Sequence, residues 1–208
     1  MNTEYIKPMD IEKRSMEIIA EHLGDAVIDA ENRDVLMRVI HTTADFDYVE
    51  NLKFSAGAVS AGIDALKSGA HIVTDTNMAF AGINKKLVKQ LGGDVHCFMA
   101  DTEVAEKAKA QGITRAAVAV EKACELKNEL IFAVGNAPTA LIKLDEMIKQ
   151  HKVKPKLIIG VPVGFVNVVE AKEIIMQSGI PYIVAKGNKG GSNVAAAICN
   201  ALLYKIRR

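Results

Sequence analysis

The sequence predicts an α/β protein, a three-layer α/β/α arrangement with a mostly parallel, Rossmann-like central sheet. Three observations carry that prediction. Short apolar runs rich in β-branched residues, such as Leu130 to Val134 and Lys156 to Val161, have the length and composition of strands buried on both faces. Between them lie longer segments whose apolar residues recur at helical spacing. Glycine or proline marks many of the junctions, as at Gly92-Gly93, Gly112, Pro138 and Gly179. Regular strand–helix alternation of this kind covers a parallel sheet on both sides. With 208 residues, no internal repeat and no low-complexity linker, residues 1–208 read as a single domain.

Taken in order, a first helix runs from Pro8 to His22, with Ile11, Ile18, Ile19 and Leu23 on its apolar side and Gly24 as a C-cap. Arg14 and Ser15 read there as a solvated face. A second helix spans Ala30 to Ile40, and Leu52 to Ser55 is a short strand. Gly57 to Lys67 is a helix of small residues, with Val59, Ile63 and Leu66 at helical spacing. His71 to Asp75 is a strand, Lys85 to Leu91 a short helix, and Val95 to Met99 the next strand. Helices at Thr102 to Ala110 and Arg115 to Leu126 precede the strand Leu130 to Val134. The helix Thr139 to Lys149, the strand Lys156 to Val161, the helix Asn167 to Gln177, the strand Pro181 to Ala185 and the helix Asn193 to Tyr204 complete the chain.

Composition excludes several functions. Lys and Arg number 26 against 25 Asp and Glu, so no global field favours nucleic acid or a membrane surface. Aromatics make up 5% with no Trp, which leaves no platform for stacking bases. No apolar run reaches membrane-spanning length, and Met1-Asn2-Thr3-Glu4-Tyr5 lacks the charged and apolar regions of a signal peptide. A cytoplasmic location is therefore expected. Cys97, Cys124 and Cys199 show no CxxC spacing and read as buried free thiols. His22, His71, His96 and His151 share no ligand spacing, so no metal site is expected.

The candidate chemistry gathers at Arg38-Val39-Ile40-His41-Thr42-Thr43-Ala44-Asp45-Phe46. Arg38, His41 and Thr42 can share one helix face, which puts a cation, an imidazole and two hydroxyls within about two turns. Imidazole is the side chain best suited to passing a proton near neutral pH. From spacing alone, though, one histidine among five is more often a packed or surface residue. Asp45 either orients His41 or caps the turn, and Asp75 closes a strand–loop junction.

Ligands of open α/β sheets bind beyond the carboxyl ends of the strands. The loop there that says most is Lys186-Gly187-Asn188-Lys189-Gly190-Gly191-Ser192-Asn193. Its glycines allow backbone N–H groups close to a ligand at a helix N-terminus, and Lys186 and Lys189 add mobile positive charge. It suits phosphate or carboxylate, but it is neither a Walker A motif nor a dinucleotide fingerprint. No GxSxG elbow offers a hydrolase nucleophile.

Five blocks together resemble the precorrin-8X methylmutase family of cobalamin biosynthesis. They are Arg38 to Phe46; Thr74-Asp75-Thr76-Asn77-Met78 with Ala81-Gly82-Ile83; Gly135-Asn136-Ala137-Pro138-Thr139-Ala140-Leu141; Gly160 to Asn167 with Glu170-Ala171-Lys172; and Gly190-Gly191-Ser192-Asn193-Val194-Ala195-Ala196-Ala197. The resemblance spans nearly the whole chain. It implies a homodimer with substrate near the subunit interface, and migration of a methyl group from C-11 to C-12 of a corrin precursor. The implied product is hydrogenobyrinate, or cobyrinate when cobalt is already in the ring. It implies His41 as the catalytic residue. Arg14, Ser15, Arg38, Thr42, Thr43, Asn77, Arg115, Gly190, Gly191 and Ser192 fall where the family binds substrate. The loop at Gly187-Asn188-Lys189 departs from the family pattern, in which more arginine precedes the paired glycines.

On that reading Arg14, Arg38, Arg115, Lys186 and Lys189 hold the substrate's carboxylates, with backbone N–H groups and Ser192 as neutral donors. His41 donates a proton to ring C. No cofactor is expected, since any cobalt is carried by the substrate. Two other readings compete: a tetrapyrrole-binding protein without catalysis, which needs no His41, and a nucleotide-dependent enzyme using the Gly190-Gly191 loop.

Overall fold

A computed structural model describes residues 7–207, apart from the side chain of Met9. The expectation drawn from Met1 to Tyr5 lies outside those residues. After a 3-10 turn at Pro8–Asp10, α1 runs Ile11–Leu23 and α2 runs Arg33–Thr43. Then follow α3 (Tyr48–Asn51), β1 (Leu52–Phe54), α4 (Ala58–Lys67), β2 (His71–Thr74), α5 (Asn77–Gly82), α6 (Lys85–Gln90) and β3 (Val95–His96). The second half contains α7 (Thr102–Gln111), α8 (Arg115–Ala123), β4 (Leu130–Val134), α9 (Pro138–Lys149), β5 (Leu157–Gly160), α10 (Val168–Met176), β6 (Tyr182–Ala185) and α11 (Ser192–Arg207).

The strands form a six-stranded sheet in the order β1-β6-β5-β4-β2-β3. Every pairing is parallel except that of the edge strand β1 with β6. Numbered along the chain, the five parallel strands follow the flavodoxin-type doubly wound order, with the reversal of direction between β2 and β4. The period-two alternation of β4 shows why two layers of helices are needed. Ile131 and Ala133 face a core shared with α2, α4 and α11, while Leu130, Phe132 and Val134 face a second core shared with α8, α9 and α10.

Several local outcomes differ from the sequence expectation. The helix carrying His41 extends to Thr43, because Ala44 adopts the left-handed conformation (φ 53°) usually left to glycine and donates its N–H to Ile40 O at 2.7 Å. Asn77 to Gly82 is helical, started by Thr76, whose side chain accepts from the Ala79 N–H at 3.0 Å. The third strand shrinks to two residues at the sheet edge. Of the three free cysteines, Cys199 is buried but Cys97 and Cys124 are only half-buried.

Candidate active site

The loops that leave β2, β4, β5 and β6 open at one end of the sheet, and α2 ends there too. Antiparallel pairing sets Leu52 of β1 against Ala185 of β6, and the Lys186 N–H bonds to Asn51 O at 2.8 Å. The segment after α2 is thereby brought to the carboxyl end of β6. A second tie is ionic: Lys189 Nζ lies 2.6 Å from a carboxylate oxygen of Asp45 and 2.6 Å from one of Asp47. A third is a ring stack, His22 of α1 on Phe46 with centroids 5.3 Å apart.

His41 is exposed, one turn before Asp45, and makes no hydrogen bond or ion pair among the described residues. Asp45 does not engage His41: one carboxylate oxygen accepts from the Asp47 N–H at 3.0 Å, the turn-forming alternative weighed for it, and the other receives Lys189, which closes the loop. The hydroxyls of Thr42 and Thr43 donate to the Arg38 and Val39 carbonyls, each at 2.9 Å, which steadies the last turn of α2. Arg38 does share that helix, but its guanidinium pairs with Glu12 at 2.8 Å and stacks 5.4 Å from the centre of the Tyr204 ring. A cleft of about 490 Å³ between α1, α2 and α11 takes in Arg38 but not His41.

The other predicted contacts fall into two groups. Arg14 is held on α1 by Glu17 at 3.6 Å and Glu21 at 3.4 Å, and the Ser15 hydroxyl donates to Ile11 O at 2.9 Å. Both stand on α1, which packs against α2. At the strand ends, Asn77 opens α5 and Arg115 opens α8; both are exposed, with side chains unpaired among the described residues. Thr114, beside Arg115, bonds to Thr139 of α9 at 2.8 Å, which fixes Arg115 near the loop leaving β4. Lys189, expected to be mobile, is instead clamped by two carboxylates, whereas the Lys186 side chain is unpaired among the described residues.

Gly190, Gly191 and Ser192 sit where α11 begins. The Gly191 N–H donates to Val161 O at 2.8 Å, and Asn188 clips the same loop to Gly164 through Nδ2 to O at 2.6 Å. Ser192 Oγ lies 2.8 Å from Thr76 Oγ1. Thr76 already accepts from Ala79, so it can donate to Ser192 and leave the serine proton free for a ligand. Gly135 is required here: a Cβ on it would meet the Ser192 Cα at 2.7 Å.

Two buried charged residues shape these loops: Asp75, expected at a strand–loop junction, and Lys172, for which no role of its own was expected. Asp75 accepts from the N–H groups of Gly135 at 2.8 Å, Asn136 at 2.8 Å and Ala137 at 2.6 Å, bridging β2 and β4 at the point where the sheet reverses. Burial pushes its carboxyl above the usual range, against the pull of those three donors. Lys172, 0% exposed on α10, donates to Gly187 O at 2.6 Å and Lys189 O at 2.9 Å. Burial lowers its ammonium to about 8. Its signal was present, since Val168, Ala171, Lys172 and Ile175 recur at core spacing for a helix. Asp75 left no such signal, because its partners lie some sixty residues away. His71 and His96, unrelated by spacing, also meet, Nδ1 to Nε2 at 2.8 Å. No cluster of three or more His, Cys, Asp or Glu able to hold a metal occurs among the described residues.

The family model for precorrin-8X methylmutase matches residues 10–205. The chain belongs to the precorrin-8X methylmutase family. It is 46% identical to the cobalt-precorrin-8 methylmutase of Salmonella typhimurium, over 97% of each chain. Against the cobalt-precorrin-8 methylmutase of Leptospira interrogans it is 44% identical, over 93% of this chain and 92% of that one. The crystal structure of precorrin-8x methyl mutase from Thermus thermophilus superposes with a TM-score of 0.87 at 39% identity, covering 95% of this chain and 98% of that one. Methylmutases are isomerases, so the family fixes the class of reaction. No helix among the described residues is long and apolar enough to cross a membrane.

Proposed function

We propose that this methylmutase acts on precorrin-8 or its cobalt complex, moving a methyl group from C-11 to C-12 of ring C, with His41 as general acid. The observation that carries the reading is family membership over nearly the whole chain, joined to an imidazole at the site end of the sheet with no hydrogen-bond or ionic partner among the described residues. Substrate and product are isomers, so no electrons are gained or lost and no redox cofactor is required. A proton placed on ring C draws electrons from the conjugated system and weakens the bond to the migrating methyl. The same proton returns to His41 once the methyl is bound at C-12.

The remaining residues grip the substrate. Its acetate and propionate groups need donors spread around a wide ring. Arg115, Lys186, Asn77, the Ser192 hydroxyl and the Gly190 N–H offer these around the mouth. Lys189, Arg38 and Arg14 each face carboxylates of the protein, which substrate carboxylates would displace. Any cobalt travels within the substrate; the names of the Salmonella and Leptospira relatives favour the cobalt-loaded form.

A homodimer completes the reading. Phe165 at 89% exposure and Val166 at 78% stand on the loop after β5, and Met78, exposed at 70%, stands in the first turn of α5, which follows β2. A second copy laid over these side chains would bury them and close solvent away from His41. The deciding experiment is to incubate purified protein with metal-free and cobalt-loaded substrate and follow the absorption spectrum. Conversion to the product chromophore is expected. A bound but unchanged pigment would mean a carrier, and absence of binding would sink the reading altogether.

A further inference from the structure

We propose that Lys172 is a positioning residue for carboxylate recognition: its buried ammonium turns the Gly187 and Lys189 carbonyls inward and so presents the Asn188 and Gly190 N–H groups to a carboxylate-bearing ligand. The inference deepens the proposed function and rests on its assignment of this mouth to a polycarboxylate.

An ammonium taken fully out of water loses several kcal/mol of hydration, which a buried carboxylate partner ordinarily offsets (order of magnitude). Lys172 has 0% exposure, and carbonyl oxygens alone receive it, with no carboxylate at hydrogen-bond distance among the described residues. A methionine would fill the same space beside Val168, Ala171 and Ile175 without that penalty. Packing therefore does not explain the lysine. What it supplies is the direction of two carbonyls and a positive charge behind the loop.

Carbonyl direction dictates N–H direction. In a trans peptide the C=O of one residue and the N–H of the next point opposite ways. With the Gly187 and Lys189 oxygens fixed on Lys172, the Asn188 and Gly190 N–H groups face away from it. Neither has an acceptor among the described residues. Gly187 at φ 81° and Gly190 at φ 158° let the chain turn between them. The Asn188–Gly164 clip and the Gly191-to-Val161 bond lock the same segment from its other side. The result is a concave set of donors backed by a charge that water does not screen, which is the arrangement that attracts anions.

The test compares the wild-type protein with Lys172→Met and Lys172→Gln, each checked for folding by circular dichroism. Two readouts are taken. Steady-state kinetics with the tetrapyrrole substrate give KM and kcat. Amide resonances in nitrogen-15 spectra are followed while citrate, a small polycarboxylate probe, is titrated in. In the wild type the Asn188 and Gly190 amides shift with citrate. In Lys172→Met those shifts are lost and KM rises by about tenfold or more, with kcat within about threefold. Lys172→Gln, which keeps two N–H donors but no charge, falls between. A folded Lys172→Met with wild-type KM and wild-type citrate shifts overturns the proposal. So does a lowered kcat at unchanged KM, the mark of a merely structural role. Unmoved amides in the wild type overturn it even where neither variant folds. Were the wild type to show the citrate response but neither bind nor convert the tetrapyrrole, the proposed function would fail while the role of Lys172 stood.

Discussion

Asp45 and Lys189 are separated by 144 positions in the chain and by 2.6 Å between carboxylate oxygen and ammonium nitrogen. Their contact ties the end of α2, and with it His41, to the loop that opens α11. The hydrogen bond from Lys189 holds the Asp45 carboxyl below its ordinary value. A depressed carboxyl stabilises the fold above the usual aspartate range and loses that contribution only as pH falls through the lowered value. The tie is therefore intact at neutral pH. It also means that a substrate carboxylate must compete with Asp45 and Asp47 for the same ammonium. Replacing Asp45 by Asn removes one competitor, and KM should fall by about threefold, with a steeper dependence on salt. Steady-state kinetics at two ionic strengths measure both effects; a raised KM would show that closing the loop matters more than freeing Lys189.

Among the described residues the His41 ring makes no hydrogen bond, so removing it should leave the fold intact. His41→Ala is expected to lower kcat by about 10²–10⁴, the range typical of a lost general acid, and to change tetrapyrrole affinity little. Absorbance titration gives the affinity and single-turnover spectra give the rate. A variant that converts substrate at nearly the wild-type rate would remove His41 from the mechanism.

Local pattern explains what could be read in advance. The strands around Leu130 and Leu157 and the helices between them are encoded by short-range periodicity, and the mouth follows from the rule that ligands sit at strand carboxyl ends. Helical spacing made His41 a candidate, and the family resemblance implied its catalytic role. What could not be read was set by long-range contacts. Nothing near Asp75 in sequence announces the Gly135 to Ala137 turn, and nothing near Lys189 announces Asp45. Arg38 read as a free cation because its partner Glu12 is brought to it by the packing of α1 on α2, whereas Glu17, three residues after Arg14 on the same helix, lay within reach of the local pattern. Lys172 was legible as a lysine at a core position, but the carbonyls it serves were not.

Phe165 carries the dimer proposal to a direct test. At 89% exposure its ring gains nothing from the single chain, so Phe165→Asp should leave the thermal midpoint of an isolated subunit nearly unchanged. Across a two-fold interface the same change introduces two desolvated charges. Sedimentation equilibrium should show a wild-type dimer and a weakened or monomeric variant, with activity falling as protein is diluted. An unaltered dimer would place the interface elsewhere.

The pH dependence of stability should carry the mark of Lys172. Its ammonium is lowered to about 8 by burial, against an ordinary value of 10.5. Below about 8 both folded and unfolded chains hold the proton, and the folded state bears the full desolvation penalty. Between about 8 and 10.5 the unfolded chain binds more protons than the folded one, so this group makes stability rise with pH. The full span amounts to about 3 kcal/mol at 1.36 kcal/mol per pH unit. Other lysines titrate at the upper end of the window, so the useful quantity is the wild-type value minus that of Lys172→Met. Urea unfolding at several pH values should show that difference growing across the window; a flat difference would mean that the buried amine keeps its proton.

Asp75 allows two opposing effects to be weighed against each other. Burial makes its charge costly, which argues that a neutral side chain would be tolerated. Three backbone donors argue the reverse. An asparagine there can turn its oxygen toward Asn136 and Ala137, which share one carboxylate oxygen, but its Nδ2 then confronts the Gly135 N–H. One stranded donor costs about 1–3 kcal/mol. Alanine strands all three and leaves a polar hole at the sheet reversal, so it should cost more, unless water enters to replace the carboxylate. The expected order of stability in urea unfolding is wild type, then Asp75→Asn, then Asp75→Ala. Activity should follow the same order, because the turn that Asp75 fixes sets Gly135 against Ser192 and leads into Thr139, the partner of Thr114 beside Arg115. A more stable Asp75→Asn would show that desolvation, and not donor satisfaction, decides the energy of this carboxylate.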